Sequence, residues 1–295
     1  MTGDIWTIQR LLTWTRDYLH KNGSPTARLD SELLLSDTLQ LRRLDLHLKF
    51  DQPVQSDELA KFKVLIKRRA KLEPVAYILG KRAFYGIELR VNSHVLVPRP
   101  ETETLVDVVL AFLKSDGAPV GDVLDLCTGS GAIALALADE LRKLQKSRSI
   151  IASDISQAAL SLAEQNAVEL RSEADVHFLL GDLWQPLAQG KKFAVIASNP
   201  PYVVHDVIAT LDADVRDHEP HLALDGGVDG MDVLRRIAEK AREFLLPNGL
   251  LAVELGSKAQ GAEFGQVLTA SGLIAVKCQA IQGGPTSIVT ARASN

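Results

Sequence analysis

Asn199-Pro200-Pro201-Tyr202 is the stretch of this chain best suited to chemistry. Two consecutive prolines fix φ and remove two backbone donors, so the carbonyl groups around them stay open to a ligand. The Asn199 side-chain oxygen and one such carbonyl can accept both hydrogens of an NH2 group, and the Tyr202 ring can pack over its plane. An amide or exocyclic amine is a feeble nucleophile because its lone pair is delocalised. Accepting both N–H bonds enriches that nitrogen and aims it at an electrophile, which combines positioning with charge stabilisation. The bland alternative is a proline turn that ends a strand over a buried tyrosine.

The electrophile's site is suggested upstream. An apolar run ends in Asp125-Leu126-Cys127-Thr128-Gly129-Ser130-Gly131 and passes into a helix-forming stretch. Such a strand-to-helix turn lets the backbone approach a ligand, and it serves NAD, FAD or S-adenosylmethionine, or merely packs tightly. Asp154, 23 residues after Gly131, ends the next apolar run, where a carboxylate can accept from both ribose hydroxyls. Gly181-Asp182-Leu183-Trp184 follows a third run and would stand beside an adenine ring, or form a turn capped by Asp182. Dinucleotide loops place a Gly three residues after the second loop glycine; here that position is Ala134, and Asp125 would repel a pyrophosphate. The spacing favours a sulfonium cofactor, S-adenosylmethionine.

The elements that must hold these residues are legible as periods. From Asp4 to about Leu72 the apolar residues Ile8, Leu11, Leu12 and Leu19, then Leu29, Leu33, Leu34 and Leu35, recur at helical spacing and predict a bundle of short helices. The basic run Lys61, Lys63, Lys67, Arg68, Arg69 and Lys71 reads as a solvated helix face rather than a partner patch. Phe84–Val91 and His94–Val97 read as a hairpin turning at Asn92-Ser93. After Pro100, strands at Val123–Leu126, Ile150–Ser153, Val176–Leu179, Ala194–Ala197, Leu250–Leu255, Ile274–Cys278 and Ser287–Ala291 alternate with helices, the pattern of a doubly wound α/β sheet. The expected domains are 1–75 helical, 76–97 a hairpin linker and 98–295 the sheet domain.

Composition bounds the function. The net charge of −4 argues against a surface that grips nucleic acid throughout. Residues 1–75 hold 13 Lys and Arg against 10 Asp and Glu, leaving 20 against 27 for the acidic remainder. Two cysteines, Cys127 and Cys278, have no spacing for a zinc site and read as reduced core residues, so no metal is expected. The amino terminus lacks a signal-peptide core and no run spans a bilayer, which predicts a cytosolic protein.

With these residues in view, the chain resembles the HemK/PrmC family of protein-(glutamine-N5) methyltransferases. The likeness rests on Asn199–Tyr202 and the glycine loop, and more specifically on Val97-Pro98-Arg99-Pro100-Glu101-Thr102-Glu103 and Glu219-Pro220-His221-Leu222-Ala223-Leu224-Asp225-Gly226-Gly227. It extends to Pro74–Gly80, Phe84-Tyr85-Gly86 and Leu246–Gly249. The resemblance implies a helical domain, a β-hairpin and a Rossmann-like seven-stranded S-adenosylmethionine-dependent methyltransferase domain whose last strand pair is antiparallel. It implies cofactor contacts at Cys127–Gly131, Asp154, Asp182, Leu183 and Asn199, and a glutamine held by Asn199–Tyr202, with Arg99 and Glu101 lining the approach or forming a structural ion pair. The implied partner is a class-1 peptide release factor, methylated on its Gly-Gly-Gln glutamine in translation termination. Cys127 stands where the family usually has Gly, and Gly283–Ser287 lacks the family's charged residues before the last strand. A nucleic-acid adenine-N6 methyltransferase, which would hold a flipped base in the same way, is the alternative enzyme. A non-catalytic S-adenosylmethionine-binding module is the third reading.

Overall fold

Strands that are apolar on both faces need helices on both sides, and the chain after Pro100 supplies them in alternation. A computed structural model describes residues 5–146, 148–281 and 284–294. The chain up to Lys81, together with Asp212–His218, clusters as one compact unit; Arg82–Leu211 and the chain from Glu219 onward form the other.

The first unit holds helices α1 (Ile8–Lys21), α2 (Ala27–Leu39), α3 (Arg43–Leu48), α4 (Ser56–Arg69) and α5 (Val75–Leu79). Ile8, Leu11, Leu19, Leu34, Leu35, Leu46, Phe62 and Ile66 form its core. Leu29 departs from the expected apolar stripe and is 40% exposed, because Leu34 and Leu35 already fill the inward face of α2. The basic run departs too. Arg69 is buried, its Nε bonded at 2.6 Å to Asp30 Oδ2 and its guanidinium to Ser24 and the Glu73 carbonyl. Arg68 pairs with Glu73. Arg69 is therefore structural, since a buried guanidinium needs a partnered carboxylate, whereas Arg68 remains 40% exposed in its pair.

At the boundary between Lys81 and Arg82 the chain enters β1 (Lys81–Phe84), which forms a two-stranded sheet with β2 (Ile87–Arg90). Its turn is Tyr85-Gly86, both with positive φ, +47° and +81°, as a tight two-residue hairpin loop requires. A turn does form at Asn92-Ser93, where the Val95 N–H donates to the Asn92 carbonyl, but it closes no hairpin, because the chain at His94–Val97 forms no strand. There the Val97 N–H donates to the Glu219 carboxylate.

The main sheet follows from α6 (Pro100–Lys114), β3 (Val123–Leu126), α7 (Ala132–Lys143), β4 (Ile150–Asp154), α8 (Gln157–Glu169), β5 (Val176–Leu180) and β6 (Phe193–Ser198). The short helices α9 (His205–Ile208) and α10 (Ala213–Arg216) precede α11 (Asp232–Phe244), β7 (Leu245–Leu255), α12 (Lys258–Ala270), β8 (Ile274–Ala280) and β9 (Ser287–Arg292). Strand order is β5-β4-β3-β6-β7-β9-β8, parallel through β7 and antiparallel in the last pairs. β3 and β6 are buried throughout, as central strands covered on both faces must be. β8 is the edge and exposes Cys278. Cys278 is thus not a core cysteine, and Cys127 is only partly buried. Gly283 of the carboxyl-terminal departure lies outside the described residues. Among the described residues no helix is long and apolar enough to cross a membrane.

Candidate active site

Because β4, β3 and β6 are parallel neighbours, their carboxyl ends fall on one edge, the place where open α/β sheets take ligands. A cavity of about 300 Å³ opens there. Cys127, Thr128, Gly129 and Ser130 line it from the loop after β3, and Asp154 from the end of β4. Asp182 and Leu183 follow β5, Asn199 and Pro201 follow β6, and Arg99 precedes α6, all on the same wall. Gly131, Pro200, Tyr202 and Glu101 do not line it. Gly131 instead starts α7 at φ +82°, where a Cβ would meet Leu135 Cδ1 at 2.9 Å.

Two wall residues carry side chains in the left-handed region, Cys127 at φ +60° and Leu183 at φ +50°. Each such L-residue costs roughly 1–2 kcal/mol, and strain of this kind collects at sites whose geometry the surroundings over-determine. Burial, then the Asp154 charge, pushes the Cys127 thiol up, so it stays protonated.

Asp154 braces the loop. Its Oδ2 accepts from the Gly129 N–H and its Oδ1 from the Ser156 N–H, both at 2.9 Å. Burial raises its pKa while those amides oppose the shift. Asp125, fully buried, takes no place on the wall: its Oδ2 accepts from Thr128 Oγ1 at 2.6 Å and the Ala134 N–H at 3.2 Å. Its other oxygen has no partner, and burial pushes the carboxyl up to about 7. Asp182 is ion-paired at 2.6 Å with Arg236, which also lines the cavity.

The Asn199 amide has its Nδ2 turned inward, donating to Thr102 Oγ1 at 3.1 Å. Behind the tetrapeptide, Gln260 Nε2 donates to the carbonyls of Tyr202 at 3.0 Å and Gly230 at 2.9 Å, which pins the turn to α12. Burial, followed by the Glu254 charge, keeps the Tyr202 phenol protonated. The chain beyond runs alongside the Glu-Pro segment: the Val203 N–H donates to the Leu224 carbonyl and the Gly226 N–H to that of Val203. Arg99 pairs with Glu219 at 2.6 Å, not with Glu101 as the short spacing allowed. Thr102 lies inside the Val97–Glu103 motif but its spacing assigns it no role, and Arg236, Glu254 and Gln260 stand in none of the motifs. Only Glu254 carried a signal, a lone carboxylate in the apolar run Leu250–Leu255.

Comparison with known proteins bears on this geometry. The PrmC N-terminal domain family matches residues 10–80 and the Methyltransferase small domain family matches residues 106–228. A release factor glutamine methyltransferase of Geobacter sulfurreducens is 43% identical over 86% of this chain and 85% of its own. A Rhodopirellula baltica protein of the same description is 40% identical over 87% and 86%. The chain belongs to the release factor glutamine methyltransferase family. Membership accounts for the helical part as well as the sheet part, since the two family matches fall on either side of the hairpin. Solved structures extend the likeness in fold alone. A methyltransferase from Pyrococcus furiosus superposes with TM-score 0.53 at 18% identity, covering 78% of this chain and 99% of that one. The hMettl16 catalytic domain superposes with TM-score 0.56 at 14% identity, covering 83% and 85%.

Proposed function

We propose that this chain transfers a methyl group from S-adenosylmethionine to the side-chain amide nitrogen of the Gly-Gly-Gln glutamine in a class-1 peptide release factor. The observation that carries the proposal is the bond from Asn199 Nδ2 to Thr102, which leaves Oδ1 as the acceptor end of a residue that lines the cavity with Pro201.

The wall suits the cofactor in its chemistry. Both of its arginines are engaged with carboxylates, Arg99 with Glu219 and Arg236 with Asp182. Neither arginine is therefore left to bind a phosphate, and Asp154, which pairs with no cation among the described residues, stands on the wall to face ligand hydroxyls. Asp154 would hold the ribose, Asp182 and Leu183 would flank the adenine, and Cys127–Gly131 would pass along the amino-acid end. S-adenosylmethionine, when bound, supplies an electrophilic methyl on a sulfonium.

The remaining work falls to the protein's own residues. Asn199 Oδ1 and a backbone carbonyl accept the two hydrogens of the glutamine NH2. The Tyr202 carbonyl already receives Gln260, so the second acceptor is one that precedes it, at Pro200 or Pro201. Holding both hydrogens raises electron density on the nitrogen and fixes its direction of attack. Pro200 and Tyr202 keep that turn rigid and its ring packed. Arg99 and Glu101 stand on the approach.

Residues 1–75 would recognise the folded factor away from the reacting amide, 76–97 would link, and 98–295 would catalyse. Remote contacts of this kind supply positioning energy to the reacting centre. The cytosol, where translation ends, is the compartment this reading requires.

Asp154→Ala is expected to weaken cofactor binding by ~1–3 kcal/mol, the cost of a charge-assisted hydrogen bond together with a loosened Gly129 amide. Calorimetry decides it, and unchanged affinity would remove Asp154 from the site. The substrate is tested with a release factor whose Gly-Gly-Gln glutamine is replaced by Glu, which lacks the NH2 and should accept no methyl.

A further inference from the structure

Glu254, next to last in β7, is 1% exposed, and among the described residues neither carboxyl oxygen has a hydrogen bond of full geometry, although the Thr102 hydroxyl and the Asn199 amide stand close enough to favour its charged form. Burying a carboxyl without partners is costly, so its place in the fold calls for a reason. Val253 pairs with Ser198 in the parallel ladder of β7 and β6, which sets Glu254 at the level of Asn199, the first residue past the end of β6. On its other side Glu254 faces the uncharged Ile288 of β9. Glu254 is not on the cavity wall; Asn199 and Thr102 are.

The two ends of an asparagine amide are nearly the same size, so sterics do not decide which end faces the substrate. The partner at the inner end decides. Thr102 Oγ1 receives Asn199 Nδ2, but a hydroxyl donates as readily as it accepts and would tolerate the opposite flip. A carboxylate can only accept. We infer that Glu254 is a positioning residue for methyl transfer: ionised, it draws the Thr102 hydroxyl proton toward itself, leaving Thr102 Oγ1 an acceptor that holds Asn199 Nδ2 inward and Oδ1 outward. This rests on the proposed role of Asn199.

The charges around Glu254 fit the assignment. Burial pushes its carboxyl up to about 7, with Glu101 acting in the same direction. Thr102, Arg99 and Asn199 pull it back toward the charged form, and the Tyr202 phenol feels its charge in turn. The positioning form is therefore gained as pH rises through about 7. Stability runs the other way. A carboxyl whose folded pKa lies above its unfolded value favours the folded state at low pH, and that contribution is lost as pH rises toward the folded pKa. Glu254→Gln should thus fold at least as well as the parent at alkaline pH.

The test is the steady-state kinetics of the full-length enzyme on intact release factor across neutral pH, for the parent, Glu254→Gln, Thr102→Val and each combined with Asn199→Ala. The parent kcat should rise through about pH 7, and Glu254→Gln should flatten that limb and lower kcat by about tenfold. KM for the factor, and factor affinity measured with S-adenosylhomocysteine bound, should stay within about twofold of the parent. On the Asn199→Ala background neither substitution should lower kcat further, because all three act through one amide. An unchanged pH limb in Glu254→Gln, or losses that add to Asn199→Ala, would overturn the inference. If Glu254→Gln does not fold, Thr102→Val decides, since it removes the hydroxyl link and should reproduce the loss. A parent enzyme that leaves release factor unmodified would defeat the substrate reading instead, which separates the two failures.

Discussion

Asn199→Ala is expected to lower kcat on release factor by roughly 10²-fold or more, the usual effect of deleting an oriented acceptor that acts in the transition state. Asn199 begins the turn directly after β6, and its amide is held from behind by Thr102 rather than by solvent. The alanine variant keeps both prolines and the Gln260 bond to the Tyr202 carbonyl, so the turn itself should persist. The expected signature is a fall in kcat with the thermal midpoint nearly unchanged. Near-normal turnover would mean that another residue orients the glutamine amide.

The second large effect is on stability. Glu219 is 4% exposed; its Oε1 accepts from Arg99 at 2.6 Å and its Oε2 from the Val97 N–H at 3.2 Å. Glu219→Ala strands a guanidinium and a backbone amide together. Removing one member of a buried pair leaves the other desolvated, and with Arg99 one-third exposed the expected loss is about 2–4 kcal/mol. Denaturant unfolding measures it, and Glu219→Gln, which keeps the side chain's volume and one of the two acceptor oxygens, should lose less. Both segments joined by this carboxylate line the cavity, so turnover should fall in parallel. A Glu219→Ala variant as stable as the parent would show that water satisfies Arg99 and Val97.

The strands were legible because a doubly wound sheet repeats one signal, an apolar run bounded by turn residues, and each run is long enough to read. The hairpin was misplaced because Phe84–Val91 reads as one continuous β-run. The turn inside it depends on Tyr85 accepting a positive φ, which a composition rule does not assign to tyrosine. The basic run misled for a related reason: sequence spacing put Arg69 on a helix but could not show that Asp30, 39 residues earlier, would meet it in the core. Cys278 looked like a core residue because cysteine is usually buried, whereas exposure on β8 follows from that strand's place at the sheet edge.

In the site the motif-borne residues were readable, and the residues that hold them were not. Cys127, Asp154, Asp182 and Asn199 meet because parallel strands align their carboxyl ends, a rule that operates before any side chain is placed. Gln260, Thr102 and Arg236 act from helices that reach the site only through tertiary packing. Nothing local distinguishes Gln260 and Arg236 from ordinary surface polar residues, and the motif around Thr102 does not say what its hydroxyl holds.

The central claim is that the nitrogen taking the methyl belongs to a release-factor glutamine. The direct measurement is mass spectrometry of release factor, ribosomes and DNA, each incubated with the enzyme and S-adenosylmethionine under the same conditions. The expected result is one added methyl group on the Gly-Gly-Gln glutamine of the release factor, and none on the other substrates or on a factor carrying Glu at that position. Methylated adenine in the DNA together with an unmodified release factor would contradict it.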